Sequence, residues 1–240
     1  MLRKLLQRVH IWAGVILGVQ IFVWMLSGAV MSVFPINVVR GEHQESHQLR
    51  RELPAVAYIS PGGVVARTDG ALSVTLRTFQ NRPAYEVETL RGRSLFDAES
   101  GKELSPLPEE TARAVALKDF VGEGELVEIN LLEQAPREYK GRLPVWRADF
   151  DDKYKTRLYV SPQTGKIVAR RNAVWRVYDF FWMLHIMDYG ERENFNNPLL
   201  KIASISAVFF VFSGLWLLVF KETRKSLSAD VRGIFNRLGR

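Results

Sequence analysis

Two long apolar runs stand out in the pattern of hydrophobic and polar positions, one near each end of the chain. Ile11 to Phe34 is a run of 24 residues without a charged side chain, and Ile202 to Phe220 is a second uncharged run of 19 residues. A helix rises about 1.5 Å per residue, so the first run spans about 36 Å and the second is close to the minimum for a hydrocarbon layer of about 30 Å. The pattern therefore predicts two transmembrane helices.

The first run has an alternative interpretation as a cleaved signal peptide. Ser27-Gly28-Ala29 is a small-x-small triplet of the kind that precedes a cleavage site. However, the apolar run is longer than the usual signal-peptide core of roughly 7–15 residues, and a second apolar run follows it. We therefore expect the first run to remain as a membrane helix.

Basic residues are concentrated at the two ends of the chain. Residues 1–10 carry three basic residues and no acid, and residues 221–240 carry six basic residues against two acids, so the two tails hold the whole net charge of +7. Because positive charge favours the cytoplasmic side, both tails are expected in the cytoplasm and residues 35–201 outside, as in a bacterial inner membrane. A basic charge confined to tails also argues against nucleic-acid binding.

The segment between the apolar runs repeats one pattern of strands and turns. The first copy is Arg82–Glu88 followed by Leu95–Leu104, and the second is Leu143–Asp149 followed by Leu158–Val168. Each copy opens with a strand near a proline, continues with a second strand, and turns back at a Ser/Thr-Gly-Lys sequence. Alternating apolar and charged residues predict half-buried antiparallel strands, and glycine suits the turn.

Helices are expected before these strands. Residues 108–120 predict a helix whose Ala112, Val115, Ala116 and Phe120 lie near one face. A weaker copy of the same arrangement lies around residues 54–66. The predicted fold class is therefore an α+β membrane protein, with two transmembrane helices flanking an extracytoplasmic segment of two helix-plus-antiparallel-strand units.

A helix followed by strands that end in Tyr-Val-x-x-x-Thr-Gly-Lys-Ile resembles the PepSY domain. Motifs in and beside the apolar runs resemble the PepSY-associated transmembrane helix family. These motifs are His10-x-Trp12-x-Gly14, Leu26-Ser27-Gly28, Trp182-Met183-Leu184-His185 and Ser213-Gly214. Their order along the chain carries the resemblance, which covers nearly the whole sequence as a short version with two spans.

This resemblance implies two alternative functions. Some members with more helices are inner-membrane siderophore-iron reductases that carry haem b on transmembrane histidines, which implies a haem-b-binding or accessory component of electron transfer or iron uptake. Other PepSY proteins regulate peptidases, which implies a non-enzymatic extracytoplasmic module that binds a peptidase or a partner membrane complex. No nucleotide-binding motif is present, so an electron donor would have to be a redox partner.

The candidate haem ligands are His185 first and His10 second. His185 lies in an aromatic stripe with spacings of 3 and 4, in which Trp182 or Tyr189 would pack on the ring; the stripe comprises Trp175, Tyr178, Trp182, His185 and Tyr189. Such a stripe is also typical of an aromatic belt at the membrane interface. His10 and His185 are expected at opposite membrane faces, too far apart to share one iron.

Two further pairs of residues have candidate roles. His43 and His47 are four residues apart and could supply a haem ligand or bind a metal ion, although their polar surroundings are also typical of a linker. Gly14 and Gly18 share a face with His10 and could bring a second copy of the chain or a partner helix close. Alternatively, both glycines pack against the second span.

Several kinds of catalytic and cofactor chemistry are excluded because the sequence lacks the residues or motifs that they need. There is no cysteine, which excludes thiol nucleophiles, disulfides and cysteine-ligated clusters. No Gly-x-Ser-x-Gly, His-Glu-x-x-His or P-loop motif is present, so no catalytic residue is assigned.

The predicted organisation is a basic tail (1–10), a transmembrane helix (11–34), a polar linker (35–52), two PepSY-like units (53–107 and 108–172), an aromatic interfacial helix (173–189), a second transmembrane helix (198–220) and a basic tail (221–240).

Overall fold

The computed structural model describes residues 2–46, 53 and 56–238 and has an α+β architecture. Two helical segments, His10–Val33 and Pro198–Trp216, are long and apolar enough to cross a membrane. They flank a middle region of helices and antiparallel sheets, which confirms the predicted fold class. The chain forms two compact units: the membrane unit, Met1–Val33 with Tyr178–Arg240, and the sheet unit, Phe34–Val177.

The membrane unit is built on two long helices, α1 (Leu2–Val33) and α6 (Pro198–Leu238). Proline is tolerated in the first turn of a helix, and Asn197 caps α6 by accepting a hydrogen bond from the Leu200 amide at 2.9 Å. The two helices pack side by side, and Gly14 of α1 lies against Phe210 of α6. Since the start of α1 contacts the later part of α6, the pair is antiparallel.

The first half of the sheet unit is a short helix followed by a three-stranded antiparallel meander. The helix is α3 (Pro61–Val65), and the strands are β1 (Ala71–Phe79), β2 (Arg82–Thr89) and β3 (Arg93–Asp97), in the spatial order β1-β2-β3. The turn between β1 and β2 consists of Gln80 and Asn81, both with positive φ, as two-residue hairpin turns commonly require.

The second half has the same plan with a longer helix and one more strand. It contains α4 (Glu109–Asp119), β4 (Leu126–Leu132), β5 (Val145–Phe150), β6 (Arg157–Val160) and β7 (Ile167–Arg171), in the order β4-β5-β6-β7. The expected apolar face of the helix is confirmed, because Ala112, Val115, Ala116 and Phe120 are all buried.

The two halves share a hydrophobic core. Phe79 and Leu95 from the first half pack in one cluster with Ala116 and Leu158 from the second. At Gly165, in the Ser/Thr-Gly-Lys turn of the second half, φ is +67° and an added Cβ would lie 2.8 Å from Phe79 Cζ. The turn is therefore closed tightly onto the first half, where only glycine fits.

The expected polar linker is ordered and packed over its described part. Residues 36–39 form α2 (Ile36–Val39), a 3₁₀ turn follows at Glu42–Gln44, and Gln44 is buried. The Gln44 side chain donates to Asp152 at 2.8 Å and accepts from Thr156 at 2.9 Å. Buried hydrogen bonds of this kind fix a polar segment that sequence composition alone assigns to solvent.

The aromatic helix is shorter than expected. Helix α5 covers Ala173–Ile186 and does not reach residue 189. It ends because Met187 adopts a positive φ of 54°, which a continuing helix does not allow. Tyr189 therefore lies beyond the helix and outside the predicted stripe, and it is half exposed.

Candidate functional site

His10 is held at one end of the membrane unit by residues of α6. Its Nδ1 lies 2.8 Å from the Ser213 hydroxyl oxygen. Its ring stacks on Phe210 with 4.5 Å between ring centroids and an angle of 13° between planes. A hydrogen bond and a stacked ring together fix both the position and the tilt of the imidazole.

His185, near the end of α5, is held in a similar way by α1. Its Nδ1 lies 3.0 Å from the hydroxyl oxygen of Ser27, which is fully buried. Each histidine of the membrane unit is thus bonded to a serine of a long apolar helix. Each of these serines is followed by a glycine, Gly28 or Gly214.

The hydrogen-bond network assigns the protons of both imidazoles. The Ser27 hydroxyl donates to the Trp24 carbonyl at 3.0 Å, and the Ser213 hydroxyl donates to the Phe210 carbonyl at 2.8 Å. A serine has a single hydroxyl proton, so both bonds are made together only when each oxygen accepts from its histidine, which favours the tautomer with the proton on Nδ1. The Nε2 lone pairs are then left for another group. This is the tautomer that a neutral histidine needs to bind a metal through Nε2.

The two glycines keep one edge of each imidazole uncrowded. A Cβ added at Gly214 would lie 3.6 Å from His10 Cε1 and 3.9 Å from its Nε2, and one added at Gly28 would lie 3.7 Å from His185 Cε1. An alanine would make only ordinary contact, but a larger side chain would crowd the Cε1 edge of either ring. The glycine after each serine therefore lets the imidazole lie close to the helix that holds it.

The two histidine sites lie at different depths of the membrane unit. Ser27, the partner of His185, lies 17 positions after His10 along α1. A helix of that length measures about 26 Å, whereas two ligands of one iron lie about 4 Å apart. His10 and His185 therefore form two separate sites.

The other residues with a predicted role, Trp182 for packing on a haem ring and His43 and His47 as ligands, have different surroundings. The Trp182 indole donates to the Arg192 carbonyl at 3.0 Å. His43 is exposed on the 3₁₀ turn of the sheet unit and meets the Tyr154 ring edge-on, while His47 lies outside the described residues. Within the described parts of the chain, no three His, Cys, Asp or Glu side chains are grouped to hold a metal ion. Metal binding by His43 and His47 stays a prediction.

Gly14 and Gly18 have different surroundings. An added Cβ at Gly14 would come within 3.1 Å of Phe210, so Gly14 is already used for packing inside the chain. A Cβ at Gly18 would meet nothing within 4 Å. Of the two glycines on this face of α1, Gly14 packs against α6 and Gly18 borders open space.

Two carboxylates with little solvent exposure organise the sheet unit. Glu86 of β2 accepts from Arg77 at 2.8 Å and from Lys166 of the opposite half at 2.7 Å. Glu138 accepts from Arg176 at 2.8 Å and from Arg157 at 3.0 Å. Burial alone would raise the pKa of each carboxyl, but the hydrogen bonds from these cations outweigh it and hold both pKa values below the usual range.

A cleft of about 510 Å³ lies in the sheet unit between the end of β1, the end of α4 and the Gly165 turn. Thr78 lines it, and its hydroxyl is buried without a hydrogen-bond partner among the described residues. Asp119 also lines it and pairs with Arg170. Burial raises the pKa of Asp119 above its usual value despite that ion pair.

The sequence pattern singles out His10 and His185 as candidate ligands but does not reveal that Ser213 and Ser27 are their partners. The four motifs that resemble the PepSY-associated transmembrane helix family meet in two pairs. The motif with His10 meets Ser213-Gly214, and the motif with His185 meets Ser27-Gly28. The antiparallel arrangement of two membrane helices is the signal that could have revealed this pairing. It places the start of one helix beside the end of the other.

Comparisons with known proteins bear on the family to which the chain belongs. No curated protein and no solved structure matches the chain. A family model described as the PepSY-associated TM region matches residues 7–237, nearly the full length. Together with the two apolar helices, this match identifies a membrane protein. The chain therefore belongs to the family of the PepSY-associated TM region.

Proposed function

We propose that the protein binds haem b through His10 and His185 and serves as a component of electron transfer or siderophore-iron reduction in a bacterial inner membrane. The observation that carries the proposal is the serine hydrogen bond at each histidine. Because each serine hydroxyl also donates to a carbonyl, the tautomer that makes both bonds carries its proton on Nδ1 and keeps the Nε2 lone pair for a ligand bond. The same arrangement occurs twice in the membrane unit.

The residues present fit the chemistry of haem ligation. Haem iron is commonly bound by neutral histidine, and a hydrogen bond to the second ring nitrogen fixes the orientation and basicity of the ligand. Ser27 and Ser213 provide that bond. Haem would supply one-electron redox chemistry at each site, and the apolar side chains of α1 and α6 would exclude water.

The charge distribution supports a direction for this electron transfer. If the two basic tails lie in the cytoplasm, His10 is on the cytoplasmic side and His185 on the outer side. Electrons from a cytoplasmic or membrane donor would then pass outward. The two sites are separated by about 26 Å along α1, which covers most of the hydrocarbon thickness.

An absorbance spectrum of the detergent-purified full chain, with and without dithionite, tests the proposal. We expect a Soret band that sharpens on reduction, weakens in His185→Ala and His10→Ala, and vanishes in the double variant. Ser32→Ala is the matched control, because the Ser32 hydroxyl donates to the Ala29 carbonyl of its own helix, and this variant should leave the spectrum unchanged. A folded, colourless protein prepared with haem available would refute haem binding.

The cleft at Thr78 favours a second candidate function, in which the sheet unit binds an extended segment of a peptidase or partner membrane complex. Strand β1 is at the edge of its sheet, and edge strands can pair with an added peptide strand. The unpartnered Thr78 hydroxyl at its end could accept or donate one further bond. Binding of labelled extended peptides to the full chain, lost in Thr78→Tyr, would support this function, and equal binding by both proteins would refute it.

A further inference from the structure

Two cationic side chains line the cleft of the sheet unit, and both are already engaged in hydrogen bonds. Arg77 donates to Glu86 at 2.8 Å, and the Lys118 ammonium donates to the side-chain oxygen of Asn81 at 2.9 Å. Neither Glu86 nor Asn81 belongs to the lining of the cleft. An anionic ligand would therefore have to compete with these partners for either cation.

Two carboxylates also line the cleft, and their charge is less well compensated. Glu45 is exposed and has no ion pair within the part of the chain that the structure describes. Asp119 pairs with Arg170, yet burial raises the pKa of its carboxyl above the usual value, and the negative charge of Glu45 acts in the same direction. The ionised form of Asp119 is therefore poorly stabilised, and an additional cation beside it would be favourable.

Two further features of the cleft favour a cation carried by an extended chain. Asp119 is the last residue of α4, and Glu45 forms a β-bridge with Phe120, so both acidic residues lie at the negative end of the helix dipole. Thr78, whose hydroxyl is buried without a partner among the described residues, lies near the end of the edge strand β1. A peptide strand paired with β1 would therefore lead into the cleft.

We propose that the cleft binds the cationic side chain of an extended peptide, a lysine or an arginine, at the carboxylates of Glu45 and Asp119. This inference rests on the second candidate function, peptide binding by the sheet unit, and names the chemical class of residue that the cleft selects. The peptide backbone pairs with β1, and the Thr78 hydroxyl makes one further hydrogen bond. The two carboxylates accept from the ammonium or guanidinium group, and such charge-assisted bonds are the strong ones.

A set of matched peptides tests the inference. The peptides have the length of β1, 9 residues, and consist of alternating valine and threonine with blocked ends and a fluorescent label. Each position in turn carries lysine, norleucine or glutamate. Binding to the full chain in detergent is measured by fluorescence anisotropy. Norleucine keeps the aliphatic stem of lysine without its charge, so the ratio of the two dissociation constants isolates the contribution of the ammonium group.

We expect lysine to bind about tenfold more tightly than norleucine at the position that reaches the carboxylates, and glutamate to bind least tightly there. Glu45→Gln should reduce the preference for lysine several-fold without loss of the fold, because Glu45 is exposed. Glu110→Gln is the matched control. Glu110 is also exposed but lies at the opposite end of α4, outside the cleft, so the preference should be unchanged.

The outcomes separate this inference from the function on which it rests. Equal binding of the lysine and norleucine peptides at every position, with both lost in Thr78→Tyr, would overturn the inference and leave peptide binding intact. The same lysine preference in Glu45→Gln and Glu110→Gln would also overturn it, because the cation would then be bound elsewhere. No binding of any peptide would refute the second candidate function together with this inference.

Discussion

Replacing Gly165 with alanine should destabilise the sheet unit more than an otherwise similar glycine replacement. At Gly165, φ is +67°, and an added Cβ would lie 2.8 Å from Phe79 Cζ and 2.9 Å from Leu107 Cδ1. At Gly70, φ is also +67°, but no heavy atom lies within 4 Å of the added Cβ. Gly70→Ala therefore measures backbone strain alone, and Gly165→Ala measures strain plus the clash.

The two contributions can be estimated from this geometry. Left-handed backbone costs a non-glycine residue about 1–2 kcal/mol, which applies equally to both variants. Forcing a methyl group into a packed core costs about 1–3 kcal/mol more, since Phe79 and Leu107 are buried and would have to move. For a domain of about 150 residues, that excess lowers the melting temperature by roughly 3–10 °C relative to Gly70→Ala.

Thermal unfolding of the full chain in detergent, followed by near-ultraviolet circular dichroism, provides the measurement. This signal reports the packing of aromatic side chains, including Trp146, whose indole donates to the Leu107 carbonyl at 3.0 Å. Equal melting temperatures for the two variants would show that the Gly165 turn does not close onto Phe79. The shared core of the two halves would then have to be rejected.

Two further predictions concern single side chains. Ser27→Ala removes the serine partner of His185 Nδ1 and should weaken the proposed haem binding at that site about 10–100-fold in titrations of apoprotein. Ser32→Ala is the control, because the Ser32 hydroxyl donates to the Ala29 carbonyl of its own helix. Equal affinities of the two variants would contradict an orienting role for Ser27. Glu138→Gln should destabilise the sheet unit near pH 7, where the ionised carboxylate is bonded to its arginines. The pKa of Glu138 is lowered in the folded state, so its ionised carboxylate stabilises the fold fully above the unfolded pKa of about 4.3. This stabilisation is lost as the pH falls through the lower folded pKa. A difference in unfolding free energy between the variant and the wild type that does not change with pH would refute the prediction.

Much of the fold follows from local patterns in the sequence. The two membrane helices are predicted because an uncharged run long enough to cross hydrocarbon is a property of consecutive residues. The strands and the glycine turn at residue 165 are predicted because alternation and turn chemistry are also local. The family resemblance likewise depends on short motifs whose order can be read directly, and the match over residues 7–237 confirms it.

Local patterns were less informative where distant residues decide the conformation. The segment with Gln44 has the composition of a linker, yet it is ordered because its buried amide bonds to Asp152, 108 residues away. The aromatic period predicts a helix that continues to Tyr189, but α5 ends at Ile186 because the backbone turns at Met187. In the first case a long-range hydrogen bond outweighs polar composition. In the second case a single backbone dihedral angle ends a helix although the aromatic pattern continues.

The sequence by itself determined which residues carry the candidate chemistry, since histidine, serine and glycine motifs are visible without a structure. Only the tertiary structure decided how they combine. His10 meets Ser213 across 203 residues, and His185 meets Ser27 across 158 residues. These pairs depend on the antiparallel packing of α1 and α6 and on the end of α5. That packing fixes which serine accepts each Nδ1 proton and hence which nitrogen is left to bind a ligand.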